Sequence, residues 1–251
     1  MFESAMELTQ EQVQWLNDCT KGTGIYINNS RSDSTWALNP QTGLVDVKGG
    51  FNCSQQSLTD FKGVRFGVID GYFNCSDNAL TSLEGAPLKV GYYFYCQNND
   101  LTTLEGAPQE VDADFNCSSN ALTSLIGSPK RVGFNFRCKN NRLTSLIGAP
   151  QSIAYFHCEN NHLTSLEGAP LKVGGGFFDF KNNPVSEETL DAIFAKMNKK
   201  TSYLAAVESL WSKIPQDDQA LLYGDDFKWV TPEQGRGLVA LRAYQGLRGM
   251  L

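Results

Sequence analysis

The sequence predicts an α/β solenoid, a fold in which short coils stack on one another and place one parallel β-sheet along one face. Three observations predict it. A motif recurs about every 21 residues, each copy contains an alternating Phe-x-Cys segment, and an asparagine, two leucines and a Gly-x-Pro follow at fixed distances in most copies. Because a single coil of this length cannot bury its own apolar side, the coils are expected to stack. The recurring cysteines are Cys53, Cys75, Cys96, Cys117, Cys138 and Cys158, and Phe180 takes the same position in a seventh copy.

Each part of the motif has a structural interpretation. Phe94 and Cys96 are two residues apart, so on a strand they point to the same side, which is predicted to be the core. Asn99 is predicted to turn the chain off the strand and to hydrogen-bond backbone groups, including those of a neighbouring coil. Leu101 and Leu104 fill the interior behind the strand. The glycine tolerates the next bend, and the proline suits an extended back wall rather than a sheet.

The motif Phe-x-Cys-x-x-Asn-x-Leu-Thr-Ser-Leu-x-Gly-x-Pro resembles the short bacterial class of leucine-rich repeat, with a period of roughly 21 residues. It resembles most the repeat proteins encoded by tailed bacteriophages, and residues 35–40 and 183–186 also resemble the ends that those proteins carry. The resemblance implies a leucine-rich-repeat solenoid of phage origin. It implies no activity, because a fold alone does not define a function.

Three parts are predicted along the chain: an N-terminal cap of one helix and short strands in residues 1–50, the solenoid in residues 51–183, and a helical region in residues 184–251. Thr9 and Gln12 form a capping-box pattern near the start of the first helix. The N-terminal cap is expected because an unpaired strand edge invites aggregation. The helical region has two open interpretations, a C-terminal cap or a small module for partner binding or dimerisation.

The composition narrows the classes of function. The formal net charge is −6 and the isoelectric point is near 5.0, which disfavours binding to nucleic acid or to an anionic membrane. No apolar run reaches the ~20 residues that span a bilayer, and the acidic start lacks the basic and apolar regions of a signal peptide. We therefore expect a cytoplasmic protein, in a bacterium or in a phage-infected bacterial cell.

The six cysteines in register are predicted to be reduced and buried. Stacked parallel thiols do not converge as zinc ligands do, and a regular column does not suit a disulfide framework. Neither a metal nor another cofactor is expected. The seventh cysteine, Cys19, is either a reactive thiol or a partly buried helix residue. The second interpretation is favoured, because Lys21 is the one basic neighbour that would lower its pKa.

The sequence does not predict an active site. His157 and His162 are the two histidines of the chain, so any Ser-His or Cys-His pair would have to use one of them. His157 is expected on the outward face of a strand and Cys158, the next residue, on the inward face. The glycines at 174–176 lack the lysine and helix of a phosphate-binding loop. A non-enzymatic protein is therefore predicted.

The outward face of the predicted sheet is the candidate functional surface. The residues on either side of each inward cysteine form two columns, whose members vary while the inward positions repeat. The first column contains Asn52, Asn74, Tyr95, Asn116, Arg137, His157 and Asp179, and the second contains Ser54, Ser76, Gln97, Ser118, Lys139, Glu159 and Lys181. The residues predicted to bind a partner are Tyr93, Tyr95, Asn116, Arg137, Lys139, His157, Glu159 and Asp179. They include residue types that anchor protein interfaces.

The leading hypothesis is a module that binds a host or phage protein through this face, through the C-terminal helices or through both. Two alternatives stay open: a structural or assembly component of a virion, and an enzyme with a site around His157. A strand face that is merely solvated is also compatible with the sequence. The identity of the partner and the oligomeric state do not follow from the residues.

Overall fold

The coils form a parallel β-solenoid with two sheets. The computed structural model describes residues 7–24, 26–27, 30–170 and 172–185. Within these residues, one sheet has seven strands, a second has six, and a short pair of strands stands apart. The helix α1 spans Gln10–Thr20, and the antiparallel pair consists of β1 (Tyr26–Ile27) and β2 (Ser30–Arg31).

The seven-stranded sheet, here called the front sheet, contains the Phe-x-Cys segments. All of its strands are parallel and pair phenylalanine with phenylalanine, as Phe94 does with Phe115 and Phe115 with Phe136. Its strands are β5 (Phe51–Asn52), β7 (Phe73–Asn74), β9 (Phe94–Tyr95), β11 (Phe115–Asn116), β13 (Asn135–Arg137), β14 (Ser152–His157) and β15 (Lys172–Asp179).

The six-stranded sheet, here called the second sheet, uses residues just before each Phe-x-Cys segment. Its first two strands are antiparallel and the others are parallel. Its strands are β3 (Thr35–Leu38), β4 (Val45–Lys48), β6 (Phe66–Ile69), β8 (Lys89–Val90), β10 (Glu110–Val111) and β12 (Arg131–Val132). The prediction of one parallel sheet is therefore corrected to two. Each of β8, β10 and β12 has two residues, one outward and one inward, which is too short an alternation to indicate a strand.

A coil thus has three sides. It leaves the front sheet at a corner, runs through an irregular segment with the two leucines, bends at a glycine with positive φ, and enters the second sheet. Three residues then lead from Val132 of the second sheet to Phe136 of the next front strand. Only two residues lie between Ile153 and Phe156, and there the two sheets merge into the single longer strand β14.

The core between the sheets is a stack of rings, leucines and thiols. The rings of Phe51, Phe73, Phe94, Phe115, Phe136 and Phe156 lie one above another, with centroids 5.2–5.5 Å apart between neighbours. All seven cysteines are free and buried, which confirms the prediction made for the six cysteines in register. Phe180 is buried in the cysteine position of the last described coil, also as predicted.

Helix α1 packs on the first coil. Its capping box is formed as predicted, with the Thr9 hydroxyl accepting from the Gln12 backbone N–H and the Gln12 side chain accepting from the Thr9 N–H. The Trp15 ring meets Phe51 edge-on at 5.4 Å, and its indole N–H donates to Gln56 Oε1 at 2.8 Å. Gln56 stands where later coils have asparagine, and the longer side chain reaches the helix.

Cys19 is a buried helix residue rather than an exposed thiol. It is 1% exposed, and burial raises its pKa to about 11. The predicted helical region lies outside the described residues, apart from the short stretch 184–185. No helix of the described ranges is long and apolar enough to cross a membrane.

Candidate binding face

A ladder of buried asparagines fixes how each strand leaves the front sheet. Asn99 Nδ2 donates to the carbonyl oxygens of Cys96 in its own coil and Cys75 in the preceding one, both at 3.1 Å. Its Oδ1 accepts from the Leu80 N–H at 2.9 Å. The predicted bonding between coils is confirmed. The same pattern recurs at Asn120, Asn141 and Asn161, and at Asn183 in the last described coil.

The corner itself is made by the residue before each buried asparagine. This residue has a φ of 55–57° in the coils from β7 onward, the left-handed region that asparagine and aspartate tolerate best. The prediction that the inner asparagine makes the turn is corrected accordingly, because that residue supplies the hydrogen bonds instead. The corner residues are Asp77, Asn98, Ser119, Asn140, Asn160 and Asn182.

The two predicted columns exist. In the first, Tyr95 pairs with Asn116, Arg137 with His157, and His157 with Asp179. The second continues beyond the strands, because the backbone N–H of each corner residue donates to a carbonyl of this column in the following coil. These carbonyls belong to Gln97, Ser118, Lys139, Glu159 and Lys181. The columns therefore run along the solenoid axis, perpendicular to the strands.

One part of the outward prediction is wrong. Ser76 and Ser118 in the second column are each only 3% exposed. Ser118 lies in register between the longer side chains of Gln97 and Lys139. Ser118 is therefore flanked by longer side chains in both neighbouring coils, whereas Ser76 has a longer neighbour, Gln97, on one side only. The solvent exposure of this column depends on side-chain length as well as on strand alternation.

Tyrosines gather at one end of the face. The rings of Tyr93 and Tyr95 stack at 4.4 Å, and Tyr93 also stacks on Tyr72 at 5.0 Å. Tyr92 tilts against Tyr93 at 5.0 Å and is 57% exposed. These four residues are the tyrosine cluster. Tyr93 and Tyr95 were predicted, whereas Tyr72 and Tyr92 were missed. The signal for Tyr72 is its position directly before Phe73, which is the position of Tyr93 before Phe94.

A polar cluster occupies the middle of the face. Arg137 Nη1 donates to Asp114 Oδ2 at 2.7 Å, and the Asn135 amide and backbone N–H both donate to Asp114 Oδ1. The sequence suggests Asp114 only as a surface carboxylate and not as a binding residue, although it too directly precedes a phenylalanine of the stack. Arg137 is thus held by an ion pair within the protein, which reduces the charge that it offers to a partner.

The electrostatics follow from burial on this face. Burial and the charge of Arg137 lower the pKa of His157 to about 4, against the opposing effect of Asp179, so the imidazole is neutral at pH 7. Burial raises the pKa of Tyr95, and the Asp114 carboxylate adds to this effect. Burial also raises the pKa of Glu159, whose Oε1 lies 3.9 Å from Lys139 Nζ.

The eight predicted site residues thus lie on one face but not in one cluster. Tyr93 and Tyr95 belong to the tyrosine cluster, and Asn116 Oδ1 accepts from the Ser118 N–H. Arg137, His157 and Asp179 are consecutive in the first column, while Lys139 and Glu159 are consecutive in the second. Comparison of the chain with family models, with curated proteins and with solved structures found no match.

Proposed function

We propose that this chain is a leucine-rich-repeat protein of the short, phage-encoded class and a non-enzymatic module that binds a host or phage protein in the bacterial cytoplasm. The repeat motif and the parallel coils with a buried asparagine ladder support the class. Helix α1, packed on Phe51, supports an N-terminal cap. The binding surface is the front-sheet face, alone or with the C-terminal region.

The observation that carries the proposal is the tyrosine cluster. The rings of Tyr93 and Tyr95 stack, and Tyr92 tilts against Tyr93, at the surface of a protein with net charge −6. Contact between these rings restricts them before binding, so the tyrosines lose little side-chain entropy when a partner binds. Tyrosine is also enriched among the residues that dominate interface energies. The polar cluster beside them would orient the partner, because hydrogen-bonded charges favour one docking geometry over others.

The double variant Tyr92→Ala/Tyr95→Ala tests the proposal. The tagged chain is used to capture proteins from phage-infected and uninfected cells, followed by quantitative mass spectrometry. We expect the partner captured by the wild type to fall at least about tenfold, which corresponds to the loss of one interface anchor. Tyr95→Ala together with Arg137→Ala is a poorer test, because it would leave the largely buried Asp114 carboxylate without its cation.

The matched control is Ile126→Ala/Ile147→Ala, which removes two exposed apolar side chains outside the two columns. It should capture the partner as the wild type does. Equal capture by both double variants would contradict binding through this face. A structural role in the virion is the alternative, and mass spectrometry of purified particles would detect the chain at stoichiometric level.

A further inference from the structure

The solenoid is closed at its N-terminal end and, within the described part of the chain, open at the other. At the N-terminal end, helix α1 covers the first coil, where Trp15 meets the ring of Phe51 and both Leu16 and Phe51 are fully buried. At the C-terminal end, β15 is the outermost strand of the front sheet, and no described element follows it. A last coil without a cap leaves an apolar surface and a strand edge in contact with water.

The inward residues become more exposed at this open end. The second leucine of the motif is at 0% exposure in four successive coils, from Leu83 to Leu146, whereas its counterpart Leu166 is only partly buried. Phe178 pairs in register with Phe156 and is also only partly buried, although the six phenylalanines stacked before it are all at 0%. The partly buried apolar residues of the open end are Leu166, Ala169, Val173 and Phe178.

The open end arises because the repeat stops within the last coil. Val185 takes the position of the first leucine and is 8% exposed, but Glu188 stands where the second leucine would be. Asn183 Nδ2 still donates to the carbonyl oxygens of Phe180 at 2.8 Å and Cys158 at 3.1 Å, so the chain is anchored at the open end as far as this coil extends. The sequence therefore provides no further leucine of the motif to cover the preceding one.

The chain continues from this point with apolar residues at helical spacing. Ser186, followed by two glutamates, is typical of a helix start, because its hydroxyl caps the first turn and acidic residues are favoured there. A helix over residues 187–197 would have 11 residues, as α1 has, and a length of about 16 Å. Its apolar residues would share one side and leave charged residues on the other, as an end cap requires. They are Leu190, Ile193, Phe194 and Met197.

The position where this segment begins favours it over a second copy of the chain. Five residues lead from Val185 to Leu190, and an extended chain spans up to about 17 Å over that distance, so the segment reaches the open end. A second copy could not stack its N-terminal end there, because α1 covers that end. Contact between two C-terminal ends would require the segments of both chains to move aside, since both leave the solenoid at this place.

We propose that residues 187–197 form an amphipathic helix that covers the open end of the solenoid, with its apolar side packed against the four partly buried residues there. The buried apolar surface drives this contact, as it does for α1 at the opposite end. The inference concerns the C-terminal end and does not rest on the proposed function. It closes the stack at both ends and leaves the sheet faces for a partner.

Photocross-linking of the full chain tests where the segment lies. With Phe194→benzoylphenylalanine, we expect cross-links to residues 163–180 of the same chain, at the mass of one chain, 27.7 kDa. The cross-linked peptides are identified by mass spectrometry. The control is Ala192→benzoylphenylalanine, which lies on the opposite side of the helix and should lose most of this product. Cross-links to a second chain or to the front-sheet face, or equal yields from the two positions, would overturn the inference.

Hydrogen exchange of the full chain tests whether the segment stabilises the open end. Ile193→Asp should make the amides of β15 exchange at least about tenfold faster, because a buried charge detaches the helix. Ala192→Asp places the same charge on the polar side and should leave these amides at the wild-type rate. Amides of β9 and β11, in the middle of the stack, should not change in either variant. Wild-type exchange of β15 in Ile193→Asp would contradict the cap, and if that variant loses the whole fold, the cross-links decide.

Discussion

A single half-buried asparagine, Asn120, connects two neighbouring coils where the chain leaves the front sheet. Asn120 Nδ2 donates at 3.1 Å to Cys96 of the preceding coil and to Cys117 of its own, and its Oδ1 accepts from the Leu101 N–H. These backbone groups lie where the chain leaves the front sheet. Each of the two carbonyls also accepts from a second asparagine, Cys96 from Asn99 and Cys117 from Asn141. The asparagine side chain therefore replaces the backbone pairing that the corner interrupts.

Asn120→Ala should lower the free energy of unfolding by about 1–3 kcal/mol, because the Leu101 N–H loses its acceptor and the Cys96 and Cys117 carbonyls each lose one of two asparagine donors. The measurement is urea unfolding followed by circular dichroism. Asp100→Ala is the control, since Asp100 is an exposed residue of the preceding coil and Ala121 occupies the corresponding position one coil later. A loss below 0.5 kcal/mol for Asn120→Ala, on the order of the control, would show that the ladder does not hold the coils.

The glycine corner is the element that lets coils stack closely on the side away from the front sheet. Gly148 has a φ of +95°, and a Cβ built on it would lie 2.4 Å from the carbonyl carbon and oxygen of Leu125 in the preceding coil. Both the backbone conformation and the contact therefore exclude a larger residue. Gly22, just after helix α1, has a φ of +64° with nothing within 4 Å of such a Cβ.

This pair of glycines separates conformation from packing. Gly22→Ala suffers from the positive φ alone, whereas Gly148→Ala also forces two coils apart, which should cost about 1–3 kcal/mol more. Thermal unfolding of both variants measures the difference. Equal destabilisation would mean that the coils are not in contact at this corner.

At the scale of the whole molecule, the repeated core could be predicted from the sequence, whereas the second sheet could not. Phe94, Cys96 and Asn99 recur at fixed spacing because each coil must match the one below it, so their burial and bonding were readable from periodicity. The second sheet could not be predicted in this way, because strands such as Lys89–Val90 are too short to show an alternation of inward and outward residues. These two-residue strands form because each one pairs with its neighbours along the stack.

The candidate site could be predicted only in outline, because strand alternation shows which residues share a face but not which of them bond to one another. Strand alternation places Tyr95, Arg137 and His157 on one face. It does not show that Asp114 bonds Arg137, because Asp114 precedes the strand and its direction depends on the bend there. Nor does it show that Ser118 is covered, which depends on the lengths of Gln97 and Lys139. The hydrogen bonding and the exposure of these side chains thus depend on contacts between coils, which the alternation within one strand does not reveal.

The most direct test of the solenoid is the reactivity of its thiols in the folded protein. Six cysteines form a buried column, and burial raises their pKa values. An alkylating reagent therefore cannot reach the sulfur atoms, and the thiols stay protonated. Cys19, with a pKa of about 11, carries roughly a hundredfold less thiolate at pH 8 than an ordinary cysteine.

The measurement is alkylation by iodoacetamide at pH 8, with each cysteine quantified by peptide mass spectrometry. Stacked coils predict that Cys53, Cys75, Cys96, Cys117, Cys138 and Cys158 stay unmodified in the native protein over hours and all react within minutes in concentrated urea. Native labelling of the middle cysteines, Cys96 and Cys117, at the rate seen in urea would contradict the solenoid and the binding face built on it.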